Sequence, residues 1–155
     1  MAQKIFVDTT AFVDLITKSK NWQRIGNFFE SSENDLYTSV IVLDELKFQF
    51  LYIAASQALN SDRKFEIIAH IKTNPKFTSL VYRKYLAFYY YIESKFGIFE
   101  YTKRDEDLSN SLAIRYLMLP KDAAILATMI NGKISRIFTS DADFKKIKEI
   151  KVIEP

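Results

Sequence analysis

Two periods of apolar and polar positions alternate along this chain, and the switches between them mark out its elements. Lys4 to Val7 is a short β-branched and aromatic run that ends at Asp8, and the helix-forming stretch Ala11 to Thr17 follows. The opening therefore predicts strand, turn, helix. Trp22, Ile25, Phe28 and Phe29 recur at helical spacing, and a polar break from Ser31 to Asp35 closes that segment. Leu36 to Thr38 reads as a brief strand, with Ser39 as the N-cap of a long helix from Val40 to about Ala55.

Asn60 to Arg63 is a polar loop, and Lys64 to Lys72 is an amphipathic helix that Asn74-Pro75 should end. The aromatic-rich stretch from Phe77 to Tyr101 carries Val81, Tyr85, Phe88, Ile92 and Phe96 at steps of three or four, which is one face of a helix. Gly97 is its expected stop, and Tyr101 to Asp107 is a charged connection. Leu108 to Leu117 is helical, Leu119-Pro120-Lys121 breaks the pattern, and Asp122 opens a helix through Met129 that Asn131-Gly132 ends. Ile134 to Thr139 reads as a strand, Asp143 to Lys148 as a short helix, and Val152-Ile153 as a last strand fragment. Strands separated by helices imply a parallel α/β sheet, with sites at the carboxyl ends of the strands, where Asp8 and Asp141 fall.

The totals narrow this picture. A chain of 155 residues, 48% hydrophobic and with three glycines and three prolines, suits one domain over residues 1–155 with its own core. No apolar run approaches the ~20 residues that span a bilayer, and the N-terminus lacks the layout of a secretory signal. The expectation is a soluble, cytoplasmic protein without a membrane partner. Zero cysteines exclude disulfides, thiolate zinc sites and thiol nucleophiles. A net charge of +3 tolerates a polyanion without predicting one.

Most of the nineteen acids must be solvated, so a candidate has to stand where a plain acid is costly or oddly placed. Asp8 ends the apolar run and Asp122 opens a helix; each also suits an ordinary role, as N-cap or as dipole partner. Asp141 and Asp143, two residues apart beyond a strand, are good ligand geometry for a cation, and Asp141 also suits a cap. Glu45 lies in a nearly all-apolar helix, where Ile41, Phe48 and Tyr52 share its face, and an unpaired carboxylate there costs several kcal/mol. Asp44, nearer the edge of that arc, takes the surface role. Converging carboxylates without a thiol suit magnesium or manganese, and such a site serves phosphoryl chemistry on any anionic substrate, a small-molecule phosphatase included.

These acids in their settings resemble the PIN-domain family, above all its VapC-type members. The matching segments are Phe6-Val7-Asp8-Thr9-Thr10, Val40 to Leu46 with Glu45, Leu119-Pro120-Lys121-Asp122-Ala123 onward to Ala127, and Phe138-Thr139-Ser140-Asp141-Ala142-Asp143-Phe144. Together they bracket nearly the whole chain. The resemblance implies a three-layer α/β/α sandwich around a central parallel sheet, here with an extended helical middle segment from about Asn60 to Asp107. It also implies a phosphodiester hydrolase that cuts single-stranded RNA with Mg2+ or Mn2+. Asp8, Glu45, Asp122 and Asp141 would be catalytic and hold metal, Asp143 would assist, and Thr9 and Thr139 would position a ligand or water. It further implies a homodimer and a small antitoxin partner; the alternatives are a PIN nuclease of RNA maturation or turnover, and an inactive RNA- or protein-binding module.

Other features have simpler readings. A lone histidine, His70, on an amphipathic helix is structural. Glycines at 26, 97 and 132 make no phosphate loop, and no GxSxG elbow occurs. The Tyr82 to Tyr91 segment reads as core or dimer surface rather than as a base-stacking platform. Trp22 reads as a core anchor. Lys145, Lys146, Lys148 and Lys151 form a basic run that either guides phosphates or is a solvated face.

Overall fold

A computed structural model describes residues 2–31 and 33–155; Ser32, inside the expected polar break, lies outside the described residues. The chain divides into two compact units, residues 1–43 with 95–155, and residues 44–94.

The first unit is built on a parallel sheet. Its strands are β1 (Lys4–Val7), β2 (Asp35–Ser39), β3 (Gly97–Phe99), β4 (Arg136–Phe138) and β5 (Lys151–Ile153), in the order β3-β2-β1-β4-β5. All four pairings are parallel, with Phe6 opposite Tyr37 on one side of β1 and opposite Ile137 on the other. Ile5, Phe6 and Val7 are buried, as expected of a central strand covered on both faces. The edge strands β3 and β5 are three residues each, which limits the exposed ladder.

Helices α1 (Thr9–Ile16) and α2 (Trp22–Ser31) connect β1 to β2, and α6 (Lys103–Tyr116) and α7 (Pro120–Asn131) return the chain from β3 to β4. These two crossovers run in opposite directions along the sheet, so right-handed connections put them on opposite faces. That is the expected helix–sheet–helix layering. On one side Phe28 stacks on Phe138 at 4.4 Å, and Phe12 meets Phe29 at 5.6 Å and Phe96 at 5.3 Å between ring centres. On α7, every residue from Ala123 to Met129 is buried.

Between β2 and β3 the chain forms α3 (Val40–Leu59), α4 (Lys64–Thr73) and α5 (Pro75–Lys95), and their residues 44–94 make up the second unit. Within it Phe50 packs edge-on against Tyr85, and His70 against Phe77, so the histidine is a packing residue as expected. The aromatic face holds, with Val81, Tyr85 and Ile92 buried along α5. Asn74-Pro75 divides α4 from α5: Asn74 Oδ1 accepts the Phe77 amide and Pro75 is the first residue of the new helix.

Three expectations need correction. Gly97 does follow the end of α5, but it also opens β3, which the pattern missed. The charged stretch Tyr101 to Asp107 is no connection beyond Thr102, because Thr102 and Asp105 form a reciprocal capping box that starts α6 at Lys103. Trp22 is 36% exposed, with the Lys18 ammonium 5.8 Å above its ring, and anchors no core. No helix among the described residues is long and apolar enough to cross a membrane.

Candidate metal centre

β1 and β4 are neighbours in the sheet but lie at opposite ends of the sequence, and the connections leave them in opposite directions. The region beyond their carboxyl ends is the topological switch point, where parallel α/β sheets place ligands. Asp8 follows β1 there, its amide donating to the Phe138 carbonyl at 3.2 Å, and Thr139 follows β4, its amide donating to Ile153.

Asp8 is 4% exposed and precedes α1, yet its side chain makes no capping bond to that helix. The ordinary N-cap explanation therefore fails. Its Oδ2 instead accepts from the hydroxyls of Thr139, at 2.7 Å, and Thr10, at 3.1 Å. Each hydroxyl in turn accepts a backbone amide from the turn after β4: Asp141 N–H donates to Thr139 and Ser140 N–H to Thr10. The two hydroxyls also stand 3.1 Å from each other, so Thr10, Thr139 and the Asp8 carboxylate form one hydrogen-bonded group. Two relays thus lock the orientation of Asp8 to the loop that carries Asp141.

That loop continues into a short 3-10 turn, Ala142–Lys146, which Asp141 caps through Oδ1 on the Asp143 amide at 2.8 Å. Phe144 and Ile147 are buried and anchor it. Asp122 enters from the first turn of α7, with Pro120 as that helix's first residue. Asp122, Asp141 and Asp143 come together, each with a carboxylate oxygen within 4.8 Å of the others. Three like charges at this spacing repel unless something cationic sits among them. An all-oxygen donor set, with no cysteine in the chain and its one histidine on α4, fits a hard divalent cation rather than zinc. Lys146 Nζ stands 3.5 Å from Asp143 Oδ1, and Ser140 Oγ donates to Asp14 at 3.3 Å.

Of the residues expected from sequence, Asp122, Asp141 and Asp143 meet in one cluster, while Asp8 and Thr139 are joined to its loop. Glu45 lies on α3 in the second unit, partly buried, whereas the Asp44 side chain is 86% exposed beside Lys47. The ranking of those two acids follows the expected order. The premise of a deeply buried Glu45 does not hold, since the buried stripe of α3 runs through Leu46, Leu51 and Ala55 and Phe48 is exposed. Thr9 is buried at the start of α1, but the hydroxyl on Asp8 Oδ2 from this segment is that of Thr10, which sequence reasoning passed over. Its position two residues past an acid was the one available signal.

Fold and cluster together define a parallel α/β domain with an acidic, cation-ready switch point. The chain belongs to the PIN-domain family, whose description matches residues 5–150. Among solved structures it is similar to VapC20 of Mycobacterium tuberculosis, described as a sarcin–ricin-loop-cleaving toxin, with 16% identity, TM-score 0.62, and 97% of this chain and 99% of that one covered. VapBC2 of Rickettsia felis, bound to a promoter DNA fragment, aligns at 14% identity and TM-score 0.61 over 99% of both chains. A toxin–antitoxin complex from Klebsiella pneumoniae gives 18% identity and TM-score 0.60, covering 96% of this chain and 95% of that one. Among curated proteins none matches.

Proposed function

We propose that this protein is a Mg2+- or Mn2+-dependent endoribonuclease of the VapC type that cuts single-stranded RNA. The observation that carries the proposal is the all-oxygen cluster of Asp122, Asp141 and Asp143 at the β1–β4 switch point. In this reading both units form one nuclease domain, in keeping with a family match that runs through both. Asp8, Glu45, Asp122 and Asp141 hold the cation, with Asp143 assisting. A bound divalent cation supplies charge neutralisation at the scissile phosphate and a more acidic water. The chain's own groups do the positioning. Thr139 and Thr10 fix the rotation of Asp8, the 3-10 turn fixes Asp141 against Asp143, and in this reading Thr9 and Thr139 position a ligand or water. The similarity to toxin–antitoxin complexes supports a small antitoxin as partner, and we extend the reading to a homodimer acting in the cytoplasm.

Cleavage of a labelled single-stranded RNA by purified protein tests this, with magnesium, manganese or excess chelator, beside Asp122→Asn. Metal-dependent cutting that falls at least about 100-fold in the variant is expected. Folded wild-type protein that cuts none of several RNAs with either metal would overturn the reading in favour of a binding module. Cutting without an antitoxin gene beside this one would reassign the enzyme to RNA maturation or turnover.

A further inference from the structure

The basic run near the C-terminus, Lys145, Lys146, Lys148 and Lys151, is not one surface. Lys145 pairs with Glu154, while Lys148 and Lys151 stand exposed, the latter on β5. Lys146 alone of the four has its ammonium at the acid cluster, 3.5 Å from Asp143 Oδ1. Its direction is built in. It ends the 3-10 turn between the buried Phe144 and Ile147, and its Nζ lies 3.5 Å from the carbonyl of Leu117. Leu117 adopts the left-handed conformation, φ 52°, as the C-cap of α6, and its side chain is 86% exposed. A leucine held in that conformation with its side chain in water gains nothing from packing. Its conformation closes α6, with the Leu117 and Met118 amides on the Ala113 carbonyl, and leaves its own carbonyl within 3.5 Å of Lys146 just ahead of α7, the helix that carries Asp122.

We propose that Lys146 binds a phosphate oxygen of the RNA backbone beside the acid cluster, and so sets where the strand lies against the cation. This rests on the nuclease reading and adds a substrate-positioning residue to it. The pair with Asp143 is long and both side chains are partly exposed, 41% for the lysine and 52% for the acid, so the ammonium is held in place without being locked. A cation shared by Asp122, Asp141 and Asp143 would draw charge from Asp143 and release Lys146 to an anion. An ammonium on a flexible stem is suited to a single phosphate oxygen rather than to a base edge, so its effect should be independent of sequence.

The test is equilibrium binding of a fluorescent single-stranded RNA to the full chain, with calcium as the probe cation, across a series of salt concentrations. Wild type is compared with Lys146→Met, Lys146→Arg and the control Lys151→Met, each checked for an unchanged melting temperature. Lys146→Met is expected to weaken binding about tenfold and to flatten the plot of log affinity against log salt by about 0.7, the value for one phosphate contact on a single strand. Lys146→Arg should retain most of the affinity, and Lys151→Met should change it less than twofold. Equal losses in Lys146→Met and Lys151→Met would overturn the proposal, since the run would then act as a diffuse charge. An unchanged slope with tighter calcium binding in Lys146→Met would also overturn it, making the lysine a mere counter-charge. RNA binding without cleavage in magnesium or manganese would sink the nuclease reading alone, whereas no RNA binding at all would sink both.

Discussion

At the scale of single residues, the candidate site depends as much on hydroxyls as on acids. Thr139 is fully buried, takes the Asp141 amide and gives its proton to Asp8. Thr139→Val keeps the shape but leaves the part-buried Asp141 amide and the buried Asp8 carboxylate each short of a partner, at a cost of roughly 1–3 kcal/mol. Chemical denaturation should show that loss, and manganese affinity by calorimetry should fall with it, while Thr139→Ser should retain both. The acids were legible because each stood at a join between elements: Asp8 and Asp141 after strands, Asp122 at a helix start. Thr10 was not, because its amide donor, Ser140, is 130 residues away and no local pattern encodes that meeting. Trp22 misled for the opposite reason. Its size suggests a core residue, but it opens α2 on the solvent side, where a lysine covers its ring.

Among the elements, those with several turns or a buried apolar run were readable, and those decided by one contact were not. β3 exists because Gly97 lies opposite Tyr37, whose ring would come within 2.5 Å of a Cβ at that position and which stacks on Phe99. A three-residue strand made by such an approach leaves no period to detect. α6 starts a turn and a half early because of its capping box. Asp105 there is 4% exposed, and burial pushes its carboxyl up, but hydrogen bonds from Thr102 and Asn131 outweigh this and hold it below the ordinary carboxylate value. A lowered value contributes stability that is fully present above the ordinary carboxylate range and is lost as pH falls through the lowered one. Asp105→Asn should therefore cost about 1 kcal/mol near neutrality, and the gap from wild type should narrow on acidification below about pH 4. Urea midpoints measured from pH 7 down to pH 3 would reveal a parallel pair of curves if Asp105 had no such part.

The whole molecule comprises two compact units, and the second carries a tyrosine that couples its stability to alkaline pH. Burial, then the charges of Tyr89 and Asp44, push the Tyr85 hydroxyl up to about 12. The unfolded chain loses that proton near pH 10, so the stabilisation is complete below pH 10 and disappears as pH rises toward 12. Tyr85→Phe should accordingly resist alkali better than wild type, by up to about 2 kcal/mol at pH 11.5, in denaturant titrations matched at pH 8 and pH 11.5. The parallel α/β class was legible at this scale because strands and helices alternate throughout. The division at residue 44 was not, because α3 runs unbroken across it.

The order of strands has one more consequence, for the chain's own synthesis. β1 leaves the ribosome well before its second neighbour, β4, which sets Ile137 opposite Phe6. Strands β1, β2 and β3 can pair as they emerge, but Asp8 cannot meet the Thr139 hydroxyl, nor Asp122 join Asp141 and Asp143, until the segment after β4 has emerged. A nascent polypeptide of this design completes its acidic cluster late, and a chain that stops short of Asp141 cannot close the site.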